Sequence, residues 1–284
     1  MSYAIAIDGP SGAGKSTIAK RVAKELSFIY VDTGAMYRAM ALYVLEQNID
    51  PQDQAKVAAV CPDIDVTILY EDGVQQVLLN GKNVSTEIRQ EIVGNTASKI
   101  SVIKEVREKL VALQRQLAAK ENVVMDGRDI GTQVLPDATV KIYLTASAKE
   151  RAKRRYLELQ EKGMPGELDQ IEADIIERDN RDMNREISPL RQAEDAVLVD
   201  ASFMGIEEVT AAVIAEFEKK KQVSSCNNLS FVNDHTPDRH FHQCTCFSCL
   251  SDRLPHKPFI HFLLIHHSSA FLSSYLVSSL HMLP

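Results

Sequence analysis

The sequence predicts an α/β fold built around a mainly parallel sheet, and three observations carry that prediction. Short apolar runs alternate with longer stretches of helical period as far as about residue 220. A glycine-rich turn stands between the first run and the first helical stretch. One stretch with hairpin signals interrupts the alternation once, as an insert does.

The elements follow in order. Residues 4–7 are a short apolar run, strand-like, and 16–26 is the first helical stretch. A second pair follows, with a strand at 28–32 and a helix at 35–47. "VTILYEDGVQQVLLNGKNVS" then carries turn signals at Asp72-Gly73 and Asn80-Gly81, which predict a three-stranded antiparallel meander. It is the centre of an inserted subdomain covering about residues 62–120, whose last part is a helix at 103–120. Strands at 122–125 and 140–144, helices at 148–162 and 168–183, a strand at 196–200 and a helix at 206–220 complete the pattern.

The glycine-rich turn reads "GPSGAGKST". Gly9, Gly12 and Gly14 lack a Cβ and reach backbone angles that other residues avoid, so the turn can aim several N–H groups inward. Gly9-x-x-x-x-Gly14-Lys15-Ser16, between a strand and a helix, is the spacing of the phosphate-cradling P-loop. Residues Gly9, Pro10, Ser11, Gly12, Ala13, Gly14, Lys15, Ser16 and Thr17 are therefore expected to hold the phosphates of ATP through backbone N–H groups and the helix N-terminus. Lys15 is expected to reach the β- and γ-phosphates, and the Ser16 hydroxyl to ligate Mg²⁺. The core is then a three-layer P-loop NTPase core.

Composition bounds the rest. The chain has 284 residues, 45% apolar and 25% charged, ample for a buried core and one or two domains. A net charge of −7 argues against a general nucleic-acid binder, whose footprint would be basic. "MSYAIAIDGP" lacks the basic region and long apolar stretch of a signal peptide, so a cytoplasmic location is expected. All eight His and four of the five Cys lie after Gln222, while Glu disappears there. A boundary is placed near residue 222, with 223–284 an atypical, poorly ordered extension that the body does not need. Its "HFHQCTCFSCL" offers zinc ligands without the paired C-x₂-C frame, and its apolar end is broken by His261, His266 and His267. Neither a zinc site nor a membrane anchor is the expectation.

Three segments point to what receives the phosphate. Asp32, Thr33, Tyr37 and Arg38 follow the second strand, and Asp126, Arg128 and Asp129 follow another, at the strand ends where open α/β sheets bind ligands. In "IIERDNRDMNREISPL", Arg178, Arg181, Asp182 and Arg185 share one helical stripe. A solvated, self-paired face is the plain reading, but Arg178 precedes Asp182, the less favoured order, and three cations exceed what one acid needs. Such a stripe suits phosphate oxygens, with the acid free for sugar hydroxyls. Arg151, Arg154 and Arg155 share a face of the 148–162 helix, either a mobile lid over about residues 148–166 that brings cations to the transferring group or a solvated basic face.

Together "IDGPSGAGKST", "DTGAMYRA", "DGRDIGTQVLPDATVKIYLTASAKERAKRR", "ERDNRDMNR" and "SPLRQAEDA" resemble the bacterial cytidylate kinases, over residues 2 to about 220. The resemblance implies transfer of the ATP γ-phosphoryl group to CMP or dCMP with Mg²⁺, by a monomer. It implies that Arg38, Arg128 and Arg185 hold the acceptor phosphate and that Arg178 and Asp182 hold the sugar. Ser98, Arg107 and Asp129 would read cytosine, with Asp32, Thr33 and Tyr37 lining the same pocket; the family often has Ser where this chain has Thr33. Lys15, Arg128, Arg185, Arg151 and Arg155 would carry catalysis by alignment and charge, without a covalent nucleophile. A P-loop kinase of another small acceptor such as UMP, and a non-enzymatic P-loop or zinc-binding protein, are the competing readings. No N-K-x-D base-reading motif supports a GTPase.

Overall fold

The structure, a computed structural model, describes residues 2–230 except Asp72 and Pro165. The zinc and membrane readings of the tail and half of the Asp72-Gly73 turn lie outside the described residues. Five strands build the central sheet: β1 (Ala4–Asp8), β2 (Ile29–Asp32), β6 (Val123–Gly127), β7 (Val140–Thr145) and β8 (Val197–Asp200). They run in the order β2-β6-β1-β7-β8, every pair parallel.

Alternation along β1 shows why the sheet is covered on both faces. Ile5 and Ile7 enter a cluster with Ile18, Val22, Val209, Val213 and Phe217, whereas Ala6 enters one with Val31, Met36, Met40 and Leu110. The first cluster belongs to α1 (Lys15–Leu26) and α8 (Ile206–Ser230); the second belongs to α2 (Thr33–Glu46), α5 (Lys104–Lys120) and the insert. Three layers result, as the all-parallel sheet requires. Tyr3, Phe28 and Phe217 close the first layer with ring centroids 5.4–6.4 Å apart.

The expected meander is present as β3 (Val66–Glu71), β4 (Val74–Leu79) and β5 (Lys82–Asn83), antiparallel throughout. Asn80 and Gly81 both take positive φ, 48° and 80°, as a two-residue Asn-Gly hairpin turn demands. Val66, Ile68, Val77 and Leu79 join the α2 side of the core, so the insert is packed onto the body.

Two helices were not read from the sequence: α3 (Gln54–Val60) and α4 (Glu91–Ile100). α3 is seven residues long, below the length at which periodicity speaks. Asp53 caps it by accepting from the Lys56 N–H at 3.1 Å. α4 contains Gly94, Asn95 and Thr96, poor helix formers, and owes its conformation to the burial of Val93, Ala97 and Ile100. The remaining two helices are α6 (Ala148–Glu161) and α7 (Leu168–Asn184), which pack on one another. Residues 206–220 were expected to be helical; α8 runs on to Ser230. Among the described residues, no helix is long and apolar enough to cross a membrane.

Candidate active site

The loop after β1 is shaped by backbone geometry that only glycine allows. Gly9 has φ 148°, and a Cβ there would lie 1.9 Å from the Leu144 carbonyl oxygen on β7. Gly14, with φ 90°, begins α1 in the left-handed region, which turns the chain so that the helix N-terminus faces the loop. Lys15 is buried, and its Nζ donates to the Pro10 carbonyl at 2.7 Å. Burial, and then the neighbouring Arg128, pull its ammonium down to about 7. At the end of β6, Asp126 accepts from the Ser16 hydroxyl at 2.7 Å and from the Tyr30 phenol at 2.9 Å. Burial, then Asp32, pushes the Asp126 carboxyl above the usual range.

A cavity of about 400 Å³ opens in front of this loop at the carboxyl ends of β1, β2 and β6. The expected residues Ser11, Gly12, Gly14, Lys15, Ser16 and Thr17 line it on one side. Asp32, Thr33, Tyr37, Arg38, Ser98, Arg107, Arg128, Asp129, Arg178, Asp182 and Arg185 line the rest. Gly9, Pro10 and Ala13 shape the loop without lining the cavity, and Arg151 and Arg155 do not line it either. Arg151 is buried against loop and helix, whereas Arg155 is exposed on α6 and pairs with Glu158 at 2.9 Å.

Cations gather on the cavity wall. Arg128 Nε donates to Asp182 at 2.9 Å; Arg38 Nη1 donates to the Ile88 carbonyl at 3.0 Å; Arg185 Nε donates to the Ser188 carbonyl at 2.5 Å. Arg178 Nε is buried without a hydrogen-bond partner. Burial first, and then Arg128, bring the Arg178 guanidinium down to about 10. Arg38 and Arg185 are likewise lowered, chiefly by burial. Burial alone would raise Asp182, but Arg128, Arg178 and Arg185 together hold it below the usual carboxylate range. One acid thus sits among more guanidinium charge than it can neutralise, the electrostatics of a site built for an anion. The predicted stripe on α7 divides. Arg181 is exposed and pairs with Glu177 at 3.1 Å, and Arg185 lies just past the helix end in extended backbone.

The cavity wall also holds Tyr37, Ser98 and a buried ion pair between Arg107 and Asp129, near enough to Arg185 to act on its charge. Thr33 donates to the Asp126 carbonyl at 2.7 Å, so the hydroxyl fixes the β6 end. Asp32 caps α2 by accepting from the Ala35 N–H at 2.9 Å.

Three supporting residues escaped the sequence reading. Gln75 on β4 accepts from the Asp32 N–H at 2.8 Å, and Arg89 reaches the Asp32 carboxylate at 3.2 Å, so the insert buttresses the β2 end. Asp8 accepts from the Ile130 and Gly131 N–H groups at 2.8 and 2.7 Å, and burial pushes its carboxyl up to about 6. Only the alternation of β1 hinted at Asp8, as the polar residue ending an apolar run.

The chain also matches known proteins. A family model described as cytidylate kinase covers residues 5–219. A protein named cytidylate kinase from Caldicellulosiruptor bescii is 52% identical over 215 residues, covering 76% of this chain and 95% of that protein. Its counterpart from Caldicellulosiruptor saccharolyticus is 54% identical over the same length and shares, and that from Lactobacillus johnsonii is 48% identical over 218 residues, 77% of this chain and 95% of that protein. The matched residues contain the phosphate loop, the arginine cluster and the Arg107–Asp129 pair, and the chain belongs to the cytidylate kinase family.

Proposed function

We propose that this protein transfers the γ-phosphoryl group of ATP to CMP or dCMP, giving ADP and CDP or dCDP. Family membership supports the reaction, and one observation carries its assignment to this cavity. Arg128, Arg178 and Arg185 act on Asp182 in the cavity that the Lys15 loop lines, and a buried Arg107–Asp129 pair lines it too.

The phosphate loop takes the donor, with Lys15 leaving the Pro10 carbonyl for the β- and γ-phosphate oxygens. Arg38, Arg128 and Arg185 take the acceptor phosphate, where its charge relieves the crowding of their guanidinium groups. Arg178 and Asp182 hold the sugar. Cytosine offers an amino donor beside a ring nitrogen and a carbonyl acceptor, and Asp129, Arg107 and Ser98 offer the complementary acceptor and donors. Uracil puts a carbonyl where cytosine has the amine, facing a carboxylate, which disfavours UMP. Arg155, on the exposed face of α6, is the cation that lid closure would bring toward the transferring group. Direct in-line transfer between aligned nucleotides needs no covalent intermediate.

The Ser16 hydroxyl and Asp126 carboxylate, 2.7 Å apart beside Lys15, are hard oxygen donors that fit Mg²⁺. Ser16 and Asp126 would hold the ion, which when bound with ATP would supply charge neutralisation to the phosphates. We take residues 1–222 as the kinase domain, acting as a cytoplasmic monomer without nucleic-acid or membrane partners. The reaction is tested by incubating the full chain with ATP, Mg²⁺ and CMP and following both nucleotides. ADP and CDP forming in equal amounts is the expected result; ADP formation indifferent to CMP would contradict it.

A further inference from the structure

Arg151 lies where three segments meet. Its Nε donates to the Ala146 carbonyl at 2.8 Å, its Nη1 to the Ser11 carbonyl of the phosphate loop at 2.9 Å, and its Nη2 to Asp179 on α7 at 2.5 Å. Arg151 is 5% exposed and Asp179 7%, and the second Asp179 oxygen is buried without a partner. Asp179 is next to Arg178 and one turn from Asp182 on the same helix, and both of those line the cavity. Asp179 does not line the cavity itself.

A buried ion pair is a poor device for stability alone, since an apolar replacement of similar volume is often as stable. This pair does something an apolar contact cannot, because it fixes the loop carbonyl and α7 to one planar group with directional bonds. We propose that the Arg151–Asp179 pair is a positioning device that couples the two nucleotide sites, so that a nucleotide on the phosphate loop raises the affinity of α7 for the acceptor. The inference rests on the proposed function for the identity of both ligands. Phosphates seated in the loop fix the Ser11 segment and, through the guanidinium, Asp179. A fixed Asp179 sets the Arg178 and Asp182 side chains that share its helix. Coupling of this kind is reciprocal, so the acceptor must tighten the donor by the same factor.

The test uses the full chain with ADP, Mg²⁺ and CMP, a pair with no transferable γ-phosphoryl group. Calorimetry gives the ADP Kd without CMP and with saturating CMP. The wild-type protein is expected to bind ADP about tenfold more tightly with CMP present. Asp179→Asn keeps the shape and one acceptor but removes the charge. It is expected to reduce that factor to about twofold or less while each ligand alone binds within about threefold of wild type. Arg151→Lys is the second variant: one ammonium cannot span the three acceptors, and the same loss of coupling is expected. A tenfold factor retained in both variants overturns the proposal. So does a uniform loss of affinity for each ligand with the factor kept, which is what a merely structural pair would give. CMP turnover by the wild-type protein, followed in parallel, separates the two readings. Turnover with a wild-type factor of one removes only the coupling, whereas absent turnover removes the proposed function and the coupling with it.

Discussion

Lys15 and Arg185 line one cavity, and their substitutions should separate donor chemistry from acceptor binding. Lys15→Ala is expected to lower kcat by about 10²- to 10³-fold, the scale of losing one group aimed at developing charge. The KM for CMP should stay within about threefold, as read from steady-state kinetics with CMP varied. Equal losses in kcat and in CMP binding would contradict this division of roles. Arg185→Ala should do the reverse and raise the KM for CMP by about 10- to 100-fold, the worth of one charged hydrogen bond. At this scale the sequence was legible wherever chemistry needs a fixed spacing: Gly9 to Thr17, Arg128 with Asp129, and Arg178 with Asp182 all reach the cavity or shape its loop. It was not legible for Gln75 and Arg89, whose contacts with Asp32 span 43 and 57 positions. No local pattern encodes contacts of that range.

The element whose design is most specific is α4, the helix that the sequence concealed. Gly94 sits where a Cβ would come within 2.9 Å of the Arg38 guanidinium nitrogens. That guanidinium is the far end of a flexible side chain, so Gly94→Ala should displace it at little cost to folding. Helix propensity even favours Ala, by about 1 kcal/mol. The expected outcome is a KM for CMP raised by about 3- to 10-fold, for a strained charged contact, with an unchanged or higher Tm; a fall in Tm with KM unchanged would contradict it. The site's local sequence weakness is its functional content: a better helix former at 94 would close the space that Arg38 occupies. Asp8 plays the corresponding part on β1, where its carboxylate satisfies two buried N–H groups of the turn after β6. Asp8→Ala should lower stability by about 2–4 kcal/mol, for two orphaned donors, measured by denaturant unfolding.

At the scale of the whole molecule, the alternation of apolar runs and helical stretches foretold the parallel sheet because the central strands β1, β6 and β7 are buried on both faces. Strand order is a different matter. That β6 lies between β2 and β1 depends on a crossover past the insert, and periodicity does not report crossovers. The same architecture bears on the boundary near residue 222. Among the residues whose burial is described, α8 places Val209, Val213 and Phe217 in the core, all before that boundary, and the helix itself runs to Ser230. A chain ending at Gln222 should therefore keep kcat/KM for CMP within about twofold of the full chain, since it retains every one of those core residues and all the residues that line the cavity.

Nucleotide selectivity is the property that the cavity wall should set. Initial rates of ADP formation from ATP and Mg²⁺, measured in parallel with CMP, dCMP, UMP and AMP, report whether a buried Arg107–Asp129 pair reads cytosine. kcat/KM for CMP and dCMP is expected to lie at least about 10²-fold above UMP and AMP, the discrimination that mismatched buried polar groups provide. Equal rates with CMP and UMP, or turnover with AMP alone, would contradict it.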